Sequence, residues 1–185
     1  ATPVDRRRTH LMVSILMMSL GTPMLAQGQD FLRSKFGATN TYQRGDINAL
    51  DYQRRLDYSA THSYFRRWIN FRKSEDAACL RLETFPDEGF FDFFPASSGD
   101  GLGVLINALE NQESRPLFFA VNPMGSPCTI KTGNLVKQLD WVQLADSERF
   151  DPRGLKSTTL TLKSELNMPP VSCAMWISRS ALCTR

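Results

Sequence analysis

The chain has 185 residues, 42% of them hydrophobic and 22% charged, which is the make-up of a globular protein and excludes a disordered one. Its formal charge of +3 is unevenly placed: residues 1 to 74 carry 12 Lys and Arg against 5 Asp, and residues 75 to 185 carry 10 against 14. The basic residues of the first part are spread along helix faces and loops with no recognition motif, which argues against a nucleic-acid partner. No apolar run approaches the roughly 18 to 20 residues that span a membrane.

In chain order, residues 6 to 20 have the composition of a helix, and the block LMVSILMMSL is apolar almost all round, as in a helix buried between layers. Gly21 ends it and Pro23 follows the stop. PMLA, residues 23 to 26, is a short apolar run suited to a buried parallel strand. The same stretch has the outline of a signal peptide, but cleavage after Ala26 would place Met24 where a small side chain is required. From Gly28 to about Asp57 the sequence turns polar, and so long a polar segment inside a compact domain is usually functional.

A second helix is expected from about Ala60 to Glu75, capped by Ser59 or Thr61. Tyr64, Trp68 and Phe71 fall at i, i+4 and i+7, with Phe65 and Ile69 widening that face and Arg66, Asn70 and Lys73 opposite it. After about Leu82 short β-rich runs recur: GFFDFFP, LGVLINA, PLFFAVN, SPCTIKT, LDWVQLA, TTLTLKS and VSCAMWIS. They are separated by SSGDG, NQESR, NPMGS, DPRG and NMPP. This spacing argues for an antiparallel β-sandwich of about seven strands. Trp68, Trp141 and Trp176 each sit in an apolar pattern and are expected in the core.

Cys79, Cys128, Cys173 and Cys183 form no CxxC pair, and His10 and His62 are the only histidines, so no metal site is expected. Both histidines lie in expected helices, with no carboxylate beside them. Cysteines scattered through apolar or strand-like contexts read as buried thiols, which favours a reducing compartment. The expected location is cytoplasmic, with secretion the alternative.

A strand, a polar loop and a helix make the repeating unit of an α/β barrel, whose loops after the strands carry function. About one and a half such units are present. GTPMLAQGQDFLRSKFGATNTYQRGDINALDY resembles the last barrel strand and following loop of debranching enzymes in the α-amylase superfamily: the isoamylase, glycogen-debranching and pullulanase types. The likeness rests on Gly21, Pro23, Met24 and Leu25, then on Gly28, Asp30, Phe31 and Arg33. It closes on Asn40, Tyr42, Gly45, Asp46, Ala49, Leu50, Asp51 and Tyr52. FRRWINFRKSE is similar to the final barrel helix of that family, and FFAVNPMGSPCTI to a strand-turn-strand of its C-terminal sandwich. The fold class implied is the end of a (β/α)8 TIM barrel over residues 1–82, followed by an antiparallel β-sandwich over 83–185.

The resemblance implies the C-terminal part of a retaining glycoside hydrolase that cleaves α-1,6 bonds of branched α-glucans such as glycogen, starch and pullulan, without a cofactor. A retaining mechanism needs a carboxylate nucleophile and a carboxylic acid about 5 Å apart. The family carries these on the fourth and fifth strands, with a further Asp on the seventh, and residues 1 to 74 here contain no Glu. The chain alone is therefore expected to hold no catalytic residue, to be inactive, and either to associate with the barrel segment that it lacks or to aggregate through its front part. Asp30, Arg33, Tyr42, Arg44, Asp46 and Asn48 are the candidate substrate-binding residues, because they lie on the loop after the strand, where barrel active sites are built. Carboxylates and amides can bind paired sugar hydroxyls, and a tyrosine ring can stack on a pyranose.

A structural reading competes: Asp30 and Arg33 would pair with each other or with backbone, and Asp46 and Asn48 would serve as turn residues. Asp51, bracketed by Leu50 and Tyr52, reads as structural. A different function class is a non-catalytic β-sandwich that binds polysaccharide.

Overall fold

The computed structural model describes residues 2–97, 100–108, 114–133, 139–158 and 160–179. Helix α1 spans Pro3–Met18. Thr2 starts it with a reciprocal cap: its hydroxyl accepts from the Asp5 N–H, and the Asp5 carboxylate accepts from the Thr2 N–H at 3.0 Å. Leu11, Val13, Met17 and Met18 are buried, whereas Met12 and Ile15 are exposed. The helix is thus buried on one side, not all round.

Residues 23–26 form no strand, and Met24 is 85% exposed. A parallel strand exists only through hydrogen bonds to neighbours, and among the described residues no strand pairs with this segment. The polar segment that follows folds as a 3-10 turn at Gln29–Phe31 and short helices α2, Gly45–Asn48, and α3, Gln53–Asp57. Helix α4 runs Ser59–Lys73 and a second 3-10 segment Glu75–Leu80. Tyr58 occupies the N-cap of α4 without a side-chain bond. Neither Ser59 nor Thr61 caps it, because both lie inside the helix. Tyr64, Phe65, Trp68 and Phe71 are buried as the spacing requires, but Ile69 is exposed at the margin of that face.

Among the described residues seven strands follow: β1 Phe91–Pro95, β2 Leu102–Ile106, β3 Leu117–Asn122, β4 Cys128–Lys131, β5 Trp141–Asp146, β6 Glu165–Met168 and β7 Ser172–Ser178. Five form an antiparallel sheet in the order β1-β2-β3-β7-β5, and β4 pairs with β6 in a separate antiparallel sheet. The described residues of TTLTLKS, 158 and 160–164, are not in a strand; β6 begins just after them. The reason is the length of its partner. The β4 ladder ends at Lys131 opposite Glu165, and beyond it, among the described residues, Thr132 reaches back to the carbonyls of Ser164 and Lys163.

Alternation along β3 divides the interior in two. Leu117 and Phe119 face α1 and α4 with Met175 and Ile177 of β7, while Phe118 and Ala120 face Ile130, Leu166, Met168 and Trp176. Trp68 is completely buried and meets Phe150 edge-on at 4.9 Å between ring centroids, with Phe119 at 6.4 Å. Trp176 is buried in the second cluster and Trp141 packs partly buried against it. Cys79, Cys128 and Cys173 are buried free thiols whose pKa values burial pushes up; Cys183 lies outside the described residues.

His10 sits where α1, α4 and the loop after β5 meet. Its Nδ1 is 2.7 Å from the Ser147 carbonyl, its Nε2 is 3.1 Å from the Thr61 hydroxyl, and its ring stacks on Tyr64 at 4.2 Å. Contrary to the sequence expectation a carboxylate does stand near it, Glu148, at 3.9 Å. The fold brings the two together across 138 residues. Burial nevertheless pushes the His10 pKa down, with the Ser147 bond and Glu148 opposing.

A base with a depressed native pKa favours the neutral form in the fold. Its contribution is therefore complete above the ordinary histidine value of about 6.5 and is lost as pH falls through it. Unfolding midpoints in urea are expected to drop between about pH 7 and pH 5, and His10→Gln is expected to flatten that dependence. Trp68→Ala is expected to cost about 3–5 kcal/mol in the same assay, because no neighbour can collapse into the space of a central indole.

Candidate functional site

The segment from Gly28 to Arg54 links the end of α1 to the start of α4 and carries all six candidate residues. It opens on Gly28, in the left-handed region at φ 84°. A Cβ there would stand 3.0 Å from the Arg33 Cβ and 3.1 Å from Cδ2 of Leu50, so both conformation and space call for glycine. The Gly28 carbonyl accepts from the N–H groups of Phe31 and Arg33, closing the 3-10 turn. Leu32 is buried and also left-handed, at φ 57°, and the Arg54 guanidinium bonds its carbonyl.

Four side chains knit the middle of the loop. Arg33 donates to the Asn48 carbonyl at 2.8 Å, and the buried Thr41 hydroxyl donates to the Asn48 side chain at 2.8 Å. Lys35 donates to that hydroxyl at 2.7 Å, and the Asn48 amide donates to the Thr41 carbonyl. Arg44 and Asp46 form a two-pronged pair at 2.9 and 2.7 Å on the open surface. This hydrogen bonding pulls the Asp46 carboxyl below the usual carboxylate range and raises Arg44. Tyr42 is 78% exposed beside them. Asp51, read from the sequence as structural, accepts from the Gln53 N–H at the start of α3.

Asp30 does not pair with Arg33. Its Oδ2 lies 2.6 Å from Nδ1 of His62 on α4. The expectation that His62 has no carboxylate nearby is thereby corrected: residues 32 positions apart meet because the 3-10 turn folds back over α4. The six candidates thus fall into three groups: Arg33 with Asn48, Arg44 with Asp46 beside Tyr42, and Asp30 with His62. Lys35, Thr41, Arg54 and His62 complete these contacts and were not legible in the sequence. Only a period-matched pattern reveals which side chains face each other, and an irregular loop has none. Among the described residues no group of three or more His, Cys, Asp or Glu is placed to hold a metal ion.

No protein-family model matches the sequence. Over 77 residues, 41% of the chain, it is 40% identical to the pullulanase of Bacillus subtilis strain 168, covering 11% of that protein. Over 74 residues, 40% of the chain, it is 36% identical to the isoamylase of a Flavobacterium species, covering 10% of that one. Over that stretch the chain is thus similar in sequence to a pullulanase and to an isoamylase. Two solved structures share its fold over nearly its whole length. The pullulanase of Bacillus acidopullulyticus superposes with a TM-score of 0.75 over 96% of this chain and 21% of that one, at 21% identity. The Group B Streptococcus pullulanase in complex with maltotetraose superposes at 0.68 over 94% and 28%, at 13% identity. The chain spans about a tenth of the length of the curated proteins it matches.

Gly28→Ala is expected to lower stability by about 1–2 kcal/mol through left-handed strain and the clash with Arg33. Thermal melts would measure the loss, and proteolysis would show cleavage moving into residues 29–48.

Proposed function

We propose that this chain supplies the closing part of an α-glucan debranching hydrolase. Residues 1–82 would end its (β/α)8 barrel and residues 83–185 form its C-terminal β-sandwich. The likeness to pullulanase and isoamylase carries the reading. The surface around residues 23–26 supports it: Leu25 and Ile69 line one cavity and are both exposed, and Met24 is 85% exposed, apolar side chains that a covering partner would bury. In this reading residues 23–26 become a strand once neighbouring barrel strands pair with them.

The substrate proposed is a branched α-glucan, cleaved at α-1,6 bonds with retention. Asp30, Arg33, Tyr42, Arg44, Asp46 and Asn48 line one side of its groove. Tyr42 offers an exposed ring for a pyranose face, and the Arg44–Asp46 pair offers donors and acceptors for hydroxyls. Its buried, unpaired thiols favour a reducing, cytoplasmic setting.

The nucleophile and acid lie outside this chain, so the 185-residue polypeptide binds glucan without cleaving it. Purified chain is expected to release no reducing ends from pullulan or glycogen above a buffer control. Maltotetraose is expected to bind at about millimolar Kd, the range open to a partial groove, and Tyr42→Ala to weaken it severalfold. Reducing-end release would overturn the inactivity, and absence of any maltotetraose binding would overturn the glucan reading.

A further inference from the structure

The loop and helix α4 are joined by a pair of side chains whose combination no sequence motif announces. His62 lies in the first turn of α4, and Asp30 lies at the centre of the 3-10 turn Gln29–Phe31. Their side chains are 35% and 30% exposed, with Nδ1 and Oδ2 2.6 Å apart. Apart from the Arg54 guanidinium, which lies 4.9 Å from the ring centroid of Tyr58 at the N-cap of α4, the other polar braces of this segment among the described residues are internal to it. Arg33, Thr41, Lys35 and Asn48 bond among themselves, and Arg54 bonds Leu32. Those bonds hold the loop together but do not place it against the helix. The His62–Asp30 bond does.

An imidazole facing a carboxylate through Nδ1 is held in the tautomer that carries its proton there. Neither His62 Nε2 nor Asp30 Oδ1 has a hydrogen-bond partner among the described residues. We propose that His62 is a positioning residue for the glucan-binding loop, pinning the turn at Gln29–Phe31 to α4 and presenting Asp30 Oδ1 as an acceptor for a sugar hydroxyl. The proposal rests on the glucan reading above for its ligand, but not for the pin itself.

The test uses the whole chain with His62→Ala and His62→Asn, the second retaining an N–H donor near the position of Nδ1. Two quantities are read: amide exchange at Phe31, Leu32 and Arg33, whose N–H groups bond Gly28 and Gln29, and maltotetraose affinity. Loss of one hydrogen bond of ordinary strength corresponds to about fivefold in an equilibrium. His62→Ala is therefore expected to speed exchange at those three amides about fivefold and weaken maltotetraose by a similar factor. Exchange at Phe119 and Met175 in the sheet should not change, and His62→Asn should restore both quantities to within about twofold. Unchanged exchange at residues 31–33 in His62→Ala overturns the proposal whatever the affinity shows, and so does an asparagine variant as impaired as alanine. If the unmutated chain binds no maltotetraose while the exchange effect and its rescue persist, the glucan reading fails and the pin is supported.

Discussion

The placement of everything before Leu82 depends on the burial of Trp68. Its indole is sealed between helix and sheet, with Phe150 and Phe119 on the sheet side and Tyr64 and Phe71 on its own helix. Because β3 and β7 turn Phe119, Met175 and Ile177 toward that indole, α4 can lie on only one face of the five-stranded sheet. Helix α1 then packs beside α4 through Leu11, Met17 and Met18 in the same apolar cluster. Burying one such side chain is worth roughly 2–3 kcal/mol, so a cluster of this size outweighs any polar contact at the same junction.

Arg72 converts that packing into a fixed exit for the chain. Its guanidinium, buried with no carboxylate partner among the described residues, donates to the carbonyls of Met17, Gly21 and Leu80 at 3.1, 2.5 and 2.8 Å. Met17 lies in the last turn of α1, whose carbonyls have no partner within the helix, and a cation there also offsets the helix dipole. Burial and the neighbouring Arg81 lower the Arg72 pKa, yet arginine keeps its charge at any physiological pH. One side chain thereby holds the end of α1, the start of the segment leading to the loop, and the end of the segment Glu75–Leu80. The loop from Gly28 to Arg54 is consequently stretched between two anchored points, so its interior can be irregular without being loose.

Sequence reading succeeded where a period governs and failed where pairing or packing decides. Helices α1 and α4, and six of the seven strand runs, follow from apolar spacing and turn residues, and the aromatic face of α4 is buried as its i, i+4, i+7 pattern requires. PMLA has the composition of a strand, but composition cannot supply the neighbour that a parallel strand needs. TTLTLKS has strand propensity, and its partner runs out one residue before it. In the loop, the six candidate residues could be chosen from residue type and family likeness. Their partners could not, since Thr41 and Lys35 lie in an irregular loop with left-handed backbone at Leu32 and Phe36 that no propensity foretells, and His62 meets Asp30 only because the loop folds back over α4.

The three groups in the loop differ in how much each depends on its present contacts. Arg33 and Asn48 are partly buried and spend their hydrogen-bonding capacity on the backbone, so engaging a ligand would leave the loop's own carbonyls unsatisfied. Arg44 and Asp46 stand two residues apart on the open surface, where an ion pair contributes little to stability. Sugar hydroxyls can replace that pairing without disturbing any buried group. Tyr42, exposed and adjacent, adds ring surface at no cost to the fold. In the proposed groove the outer residues Tyr42, Arg44 and Asp46 therefore make the contacts, the inner residues Arg33 and Asn48 set their height, and Asp30 stands between the two roles, one oxygen bound to His62 and the other open to a ligand.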